Sequence, residues 1–377
     1  MNIIILIVSL AALILIHEFG HFVAAKWSGV RVDEFGIGFP PKLFGKKYGE
    51  TEYTVNLIPF GGFVRIFGEN PDNESLSGPD KERSFSNKPK ARQALIIAAG
   101  VLCNLLLGWV LISLGFMSGM PVPVSSAPKG ITVHDQHIFV TSVEKGSPAE
   151  LAGLKSGDVL YALNVGGEGG ETVHEIGGGI SVTSIQDFIA RHGGDEVSVS
   201  YRRPSADGLG LEIASVRPQT GVFGDTPAIG ISMDEIGVVS LSPLRALWEG
   251  ALMTGGIAVS VAYAFFSLIA DALTGNADLA HLTGPVGIVG LIGDAAGFGF
   301  VYLLSFIAFI SVNLAVLNVL PIPALDGGRL FFLAIEAVKG SRLSPRIVNA
   351  AHLAGFAVLI VFMLLVTYND IVHLVTK

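Results

Sequence analysis

Four stretches of this 377-residue chain run for sixteen residues or more with scarcely a charge: Asn2–Ala25, Ala94–Met117, Val301–Leu320 and His352–Thr367. An apolar helix rises 1.5 Å per residue and crosses a bilayer with about 20 residues, so each run is long enough to span or nearly so. Only 15% of the residues are charged, where a soluble globular chain carries about 25%. The charges that exist crowd between the runs. These features predict a polytopic membrane protein interrupted by water-soluble segments. The net charge of −8 and the lack of any basic, aromatic-laced cluster exclude a nucleic-acid binder. Cys103 is the single cysteine, so no intrachain disulfide is possible.

The first run lacks a basic leader and a small-residue cleavage site, and reads as a retained spanning helix. Residues 26–92 are mixed. Within them Glu52–Phe67, rich in β-branched and aromatic residues around Gly61-Gly62, reads as an apolar hairpin. Residues 122–245 look soluble, with strands expected at Val140–Val143 and Glu196–Arg202 and helices at Ser147–Ala152 and Ser184–His192. Gly166–Gly179 reads as a mobile glycine-rich insert. Leu247–Leu273 is ambiguous: apolar enough to span, but softened by Gly255 and Gly256 and ended by Asp271. Eleven Lys and Arg fall in residues 26–92 and four in 329–346, against eight in the longer 122–245. The positive-inside bias puts the first two segments in the cytoplasm and the soluble part outside. That arrangement needs four spans, with Leu247–Leu273 not crossing fully.

His17-Glu18-Phe19-Gly20-His21 is an H-E-x-x-H motif inside the first run. Residues four apart on a helix share a face, so two imidazoles can grip one tetrahedral ion, and Glu18 lies beside them without ligating it. Zinc lowers the pKa of a water toward about 7, and Glu18 can then take its proton. Such motifs arise by chance, but an ionisable group within a span costs about 2.5–3.5 kcal/mol on insertion scales, which makes chance placement hard to sustain here. A third ligand has to come from elsewhere. Asp326, in Asn318-Val319-Leu320-Pro321-Ile322-Pro323-Ala324-Leu325-Asp326-Gly327-Gly328, is the candidate. Its prolines end the helix and its glycine pair lets the backbone turn. His17 lies about 22 Å into its helix, and Asp326 follows the Val301 span at a similar depth, since both elements run from outside to inside. Asn313 and Asn318 sit in the same apolar stretch, where an amide needs a partner. Asn318 suits a hold on substrate backbone or a developing oxyanion. For Asn313 a hydrogen bond between helices is an equal alternative. His134 and His137 read as a solvated strand entry.

H-E-F-G-H in the first span and N-V-L-P-I-P-A-L-D-G-G after the third, in that order, resemble the site-2 protease family of intramembrane metalloproteases. The resemblance covers most of the chain and favours the bacterial regulator-of-sigma-E protease branch. It implies His17, His21 and Asp326 as ligands of Zn2+, Glu18 as catalytic base, and Asn318 as an aid to substrate or transition-state binding. Glu34–Phe39 and Val55–Phe67 resemble the segment that forms a membrane-reentrant β-hairpin in that branch. Leu282–Ile288 resembles the loop before the third core helix. Gly146–Leu160 and Ile185–His192 resemble a PDZ domain, whose groove takes peptides by strand addition. Well-known members carry two such domains in tandem, and this chain has length for one.

The expected fold is therefore a mainly α-helical polytopic membrane protein with about four transmembrane helices, a membrane-reentrant β-hairpin and an extracytoplasmic PDZ-like α+β domain. The expected divisions are 1–121, 122–243 and 244–377. The expected activity is zinc endopeptidase action on transmembrane segments of single-pass membrane proteins in a bacterial inner membrane. The resemblance points to an anti-sigma factor already trimmed by another protease, with remnant signal peptides as a second substrate class. Rival readings are a catalytically silent PDZ-containing membrane adaptor, against which the intact Glu18 speaks, and an ion transporter, against which the lack of an internal repeat speaks.

Overall fold

The structure is a computed structural model that describes all residues except 1, 71, 129, 167–171, 175–180, 206–207, 225, 276–283 and 376–377. Ten helices and eleven strands are described. They divide into two compact units, Met1–Ser113 with Leu247–Gly293 and Leu304–Lys377, and Leu114–Ala246 with Asp294–Leu303.

In the first unit, the apolar run at the start of the chain forms helix α1, Asn2–Trp27. Strands β1, Val32–Tyr48, and β2, Thr51–Ile66, follow and pair antiparallel with several register shifts. Here the structure corrects the sequence reading: the hairpin closes at Gly49-Glu50, and Gly61-Gly62 lies inside β2. The register explains why the segment is long. Residues Glu34–Ile37 face Gly62–Arg65 with numbers running oppositely, and also face Glu52–Val55 with both numbers rising, while Lys46–Tyr48 faces Thr51–Tyr53. The two strands thus fold back into a ribbon in which the start of β1 is paired on both edges. Its surface is apolar, with Ile37, Phe39, Leu43, Phe44, Leu57 and Ile58 exposed.

A short helix α2, Asn73–Ser77, precedes the long α3, Lys90–Ser118. Helices α6, Pro243–Thr274, α7, Pro285–Phe298, α8, Phe300–Val319, α9, Asp326–Lys339, and α10, Pro345–Val375, close the chain. Among the described residues, five helices (α1, α3, α6, α8 and α10) are long and apolar enough to cross a membrane. The ambiguous stretch is one of them. It forms an unbroken helix of 32 residues, because Gly255 and Gly256 lower helix propensity without removing an N–H. The last helix is longer than its apolar run. Its extension carries buried Asp370, which accepts hydrogen bonds from the backbone N–H groups of Gly284 (3.0 Å) and Gly287 (2.9 Å) at the start of α7. A carboxylate there satisfies orphan donors and complements the helix dipole. The buried core of this unit joins Ala25 of α1, Val32 and Ile66 of the ribbon, Ile96 and Ile97 of α3, and Leu333 of α9.

The second unit is built on a seven-stranded sheet of β3, Met120–Pro123, β4, His134–Val143, β5, Val159–Val165, β6, Thr172–His174, β7, Val197–Ser205, β8, Gly208–Val216, and β11, Ile231–Val239. Its order is β3-β11-β4-β5-β7-β8, with β6 also on β5. Strands β9, Gln219–Phe223, and β10, Thr226–Ala228, form a separate pair. Helix α4, Pro148–Leu151, is capped by Ser147, and α5, Val182–Arg191, by a Ser181/Ser184 capping box. β4, β7, α4 and α5 fall on the four elements expected, with no end displaced by more than about six residues. Ile138, Leu160, Ile185, Phe188, Val197 and Val199 are among the buried side chains that join sheet to helix. Apart from Gly166 and β6, the glycine-rich insert lies outside the described residues.

Candidate metal centre

Two imidazoles separated by one helical turn cannot by themselves close a site, and the missing side comes from a part of the chain 309 residues away. His17 and His21 are both buried on α1. Their rings meet edge to face at 4.8 Å, and the two Nε2 atoms lie 3.1 Å apart. Asp326 Oδ2 lies 2.9 Å from His17 Nε2 and 3.2 Å from His21 Nε2. Three ligand atoms at about 2.0–2.1 Å from a tetrahedral ion stand about 3.3 Å from one another. The spacing here is close to that, and among the described residues this is the one His/Cys/Asp/Glu group close enough to hold an ion. Burial works to raise the Asp326 carboxyl, and its bonds to the two imidazoles outweigh burial, holding it below the ordinary carboxylate range. Two imidazoles and a carboxylate are the donor set of a zinc site that keeps a fourth position open.

Asp326 reaches the histidines because of how its loop is built. Helix α8 ends at Val319, and the chain turns through Pro321 and Pro323. The residue in the left-handed region is Ala324, at φ 87°, not one of the glycines. That strained turn is held by a hydrogen bond from Ala324 N–H to His352 Nδ1 on α10, at 2.9 Å. Gly327 and Gly328 serve a different purpose from the one their pairing suggests. They start α9, where an added Cβ would come within 2.3 Å of the carbonyl oxygens of Val319, Leu320 and Ile322. Their small size lets the loop fold tightly onto the helix start.

Glu18 sits half-buried beside the histidines, with Oε2 accepting from the backbone N–H of Val64 at 3.2 Å. The edge of the ribbon thereby lies against α1 next to the candidate base. The structure does not bring Asn313 into this cluster: its Nδ2 donates back to Phe309 O, one turn earlier on α8, at 2.8 Å. Asn318 is half-buried near the end of α8, and no described hydrogen bond ties its side chain. His134 and His137 lie on β4 in the second unit. Asp278 and His281 lie outside the described residues, as do Leu282 and Thr283 of the loop before α7.

Three features on α3 had no place in the sequence reading. Ile96 O accepts from His21 Nδ1 at 2.8 Å, Asn104 Nδ2 lies 3.3 Å from His17 Nδ1, and Gly100 lies between them against both rings. The three recur at every fourth residue along one face. The signal was present in the second apolar run, where Asn104 is the sole amide past Gln93 and follows a glycine by one turn.

A family model described as peptidase family M50 matches residues 5–362. The chain belongs to peptidase family M50. This is the site-2 protease family of zinc metalloproteases, in keeping with the cluster of His17, His21 and Asp326. The zinc metalloprotease RasP of Geobacillus kaustophilus is 31% identical, with 98% of this chain and 97% of that one covered. The regulator of sigma-W protease RasP of Bacillus subtilis is 31% identical over the same shares. The regulator of sigma E protease of Haemophilus influenzae is 27% identical, covering 98% of each. An M50 metalloprotease with several apolar helices suits a multi-pass membrane protein.

Proposed function

We propose that this M50 member is an intramembrane zinc endopeptidase, with zinc held by His17, His21 and Asp326 and with Glu18 as the catalytic base. The observation that carries the reading is the convergence of three ligand atoms from α1 and the start of α9, within 4.8 Å of one another, beside a carboxylate in an apolar helix. When bound, zinc supplies Lewis acidity to a water and to the scissile carbonyl. Glu18 takes the proton of the attacking water as the new C–O bond forms, and delivers it to the amide nitrogen as the C–N bond breaks. Asn318 is proposed to hold substrate backbone near the site; Asn313, bonded back to its own helix, is a weaker candidate.

A transmembrane helix exposes no peptide bond, because each N–H and C=O is already paired. Its substrate form must be extended, and the ribbon edge at Gly62–Ile66, beside Glu18, suits pairing with an extended segment. The proposed substrates are single-pass membrane proteins, with an anti-sigma factor first among them and remnant signal peptides second. The Bacillus and Haemophilus relatives are regulators of sigma-W and of sigma E, which supports that order. The second unit is proposed to be a PDZ-like domain outside the cytoplasm, with residues 1–121 and 244–377 forming the membrane part in the bacterial inner membrane.

The test is zinc content of purified, detergent-solubilised protein together with cleavage of a single-pass reporter. Wild type should hold one zinc per chain, Asp326→Asn should lose it, and Glu18→Gln should keep it while cleaving nothing. Cleavage by Glu18→Gln, or zinc indifferent to Asp326, defeats the proposal.

A further inference from the structure

The side of the histidine pair facing away from Asp326 is formed by α3, and it contains a polar atom with nothing to bind. Asn104 is 0% exposed in the middle of an apolar helix. Its backbone oxygen accepts from Ser311 Oγ of α8 at 2.8 Å, which fixes the local backbone. Its Nδ2 stands 3.3 Å from His17 Nδ1, and its Oδ1 is buried with no hydrogen-bond partner. A buried amide oxygen without a partner forfeits its hydration, so its retention beside a ring nitrogen calls for a reason.

The reason lies in the tautomer of His17. A neutral imidazole has one donor nitrogen and one acceptor nitrogen. For His17 Nε2 to offer its lone pair to a metal, the proton must sit on Nδ1, and Nδ1–H then needs an acceptor. His21 already has such an acceptor in Ile96 O, 2.8 Å from its Nδ1. The single polar group in reach of His17 Nδ1 among the described bonds is Asn104. The two ends of a carboxamide are nearly isosteric, and turning it over exchanges Nδ2 for Oδ1 at the ring. That rotation places the now partnerless oxygen where Nδ1–H can donate to it.

We infer that Asn104 is a positioning residue that accepts from His17 Nδ1–H, fixing the tautomer and ring plane that present Nε2 to zinc. The inference rests on the proposed role of His17 as a metal ligand. Ile96 and Asn104, eight residues apart on one face of α3, then do the same work for the two histidines. One uses its main-chain carbonyl. The other uses its side chain, two turns beyond Ile96 along α3.

The experiment compares zinc affinity, by chelator competition, for detergent-solubilised wild type, Asn104→Leu and Asn104→Asp. Leucine fills similar space and accepts nothing, and should weaken zinc binding by about ten- to a hundred-fold. Aspartate keeps an acceptor at the same place and should bind zinc far better than leucine does. A role in packing alone predicts the reverse order, since it tolerates leucine and penalises a buried charge. A second readout is spectroscopic: in the zinc-loaded, histidine-labelled protein the His17 Nδ1–H proton should resonate at a different shift in Asn104→Asp than in wild type. An unmoved proton, or Asn104→Leu binding zinc as wild type does, overturns the inference. Wild type that binds no zinc defeats the metal centre itself, which separates the two failures.

Discussion

Gly100 leaves no room for a side chain against the two imidazoles. A Cβ added there would lie 2.4 Å from His21 Nε2 and 2.9 Å from His17 Cε1. Neither ring can swing aside freely, because His21 is bonded to Ile96 O and both rings face Asp326. Gly100→Ala should therefore leave α3 helical, since alanine favours a helix by about 1 kcal/mol over glycine. It should weaken zinc binding by about tenfold or more, on the scale of other losses around a ligand shell. Chelator competition beside a helical circular-dichroism spectrum checks both halves. At this scale the sequence was partly legible. His17, Glu18 and His21 declare themselves because their relation is local and helical. Asn104 and Gly100 do not, because an amide and a glycine in an apolar run have many structural uses until a neighbour is known.

Helix α9 carries Asp326 at one end, and its placement depends on ties along its length. Arg329 pairs with Glu69 at 2.5 Å, and Glu336 accepts from Lys90 of α3 at 2.5 Å and from Leu343 N–H at 2.8 Å. Burial works to raise the Glu336 carboxyl, and these donors outweigh it, leaving the group below its ordinary 4.5. A carboxyl held low when folded adds stability above its unfolded pKa and loses it as pH falls through the folded value. Thermal stability of the detergent-solubilised protein should accordingly drop on acidification below about pH 4.3, the ordinary range for glutamate. Part of that drop should vanish in Glu336→Gln, seen as a flatter melting profile against pH. In the second unit, Arg203 grips Asp158 through Nε at 2.7 Å and Nη2 at 2.8 Å, with Asp158 1% exposed. Truncating one partner of a buried pair strands the other charge, typically for about 3–5 kcal/mol. Arg203→Ala should make this unit markedly more sensitive to limited proteolysis, while zinc bound by the full chain stays unchanged. In the second unit β4, β7, α4 and α5 were readable from the sequence, whereas its other strands were not. The ribbon was not, because a segment whose first strand is paired on both edges has no signature in a period of two.

For the whole molecule, the number of helices that cross sets which segments share a face of the membrane. Charge bias favours four spans with α6 lying outside the count, whereas length and hydropathy admit α6 as a fifth. The proposed topology puts residues 26–92 and 329–346 on the same side of the membrane. Single cysteines at Lys46 and Ser341, in a Cys103→Ser background, should then react with a membrane-impermeant maleimide only from the cytoplasmic face. Labelling of the two positions from opposite faces would make α6 a full span and reverse the orientation of one half. By itself the sequence determined four of the apolar helices, two strands and two helices of the second unit and the H-E-x-x-H pair, since each depends on periodicity or spacing within one segment. The sequence also offered Asp326 as a candidate, but only the tertiary structure decided that its Oδ2 lies within 3.2 Å of both imidazoles, that Ala324 and not a glycine makes the turn behind it, and that α3 lines the other side of the pair. Those are contacts between segments up to 309 residues apart, and their free energy resides in packing that no local pattern records.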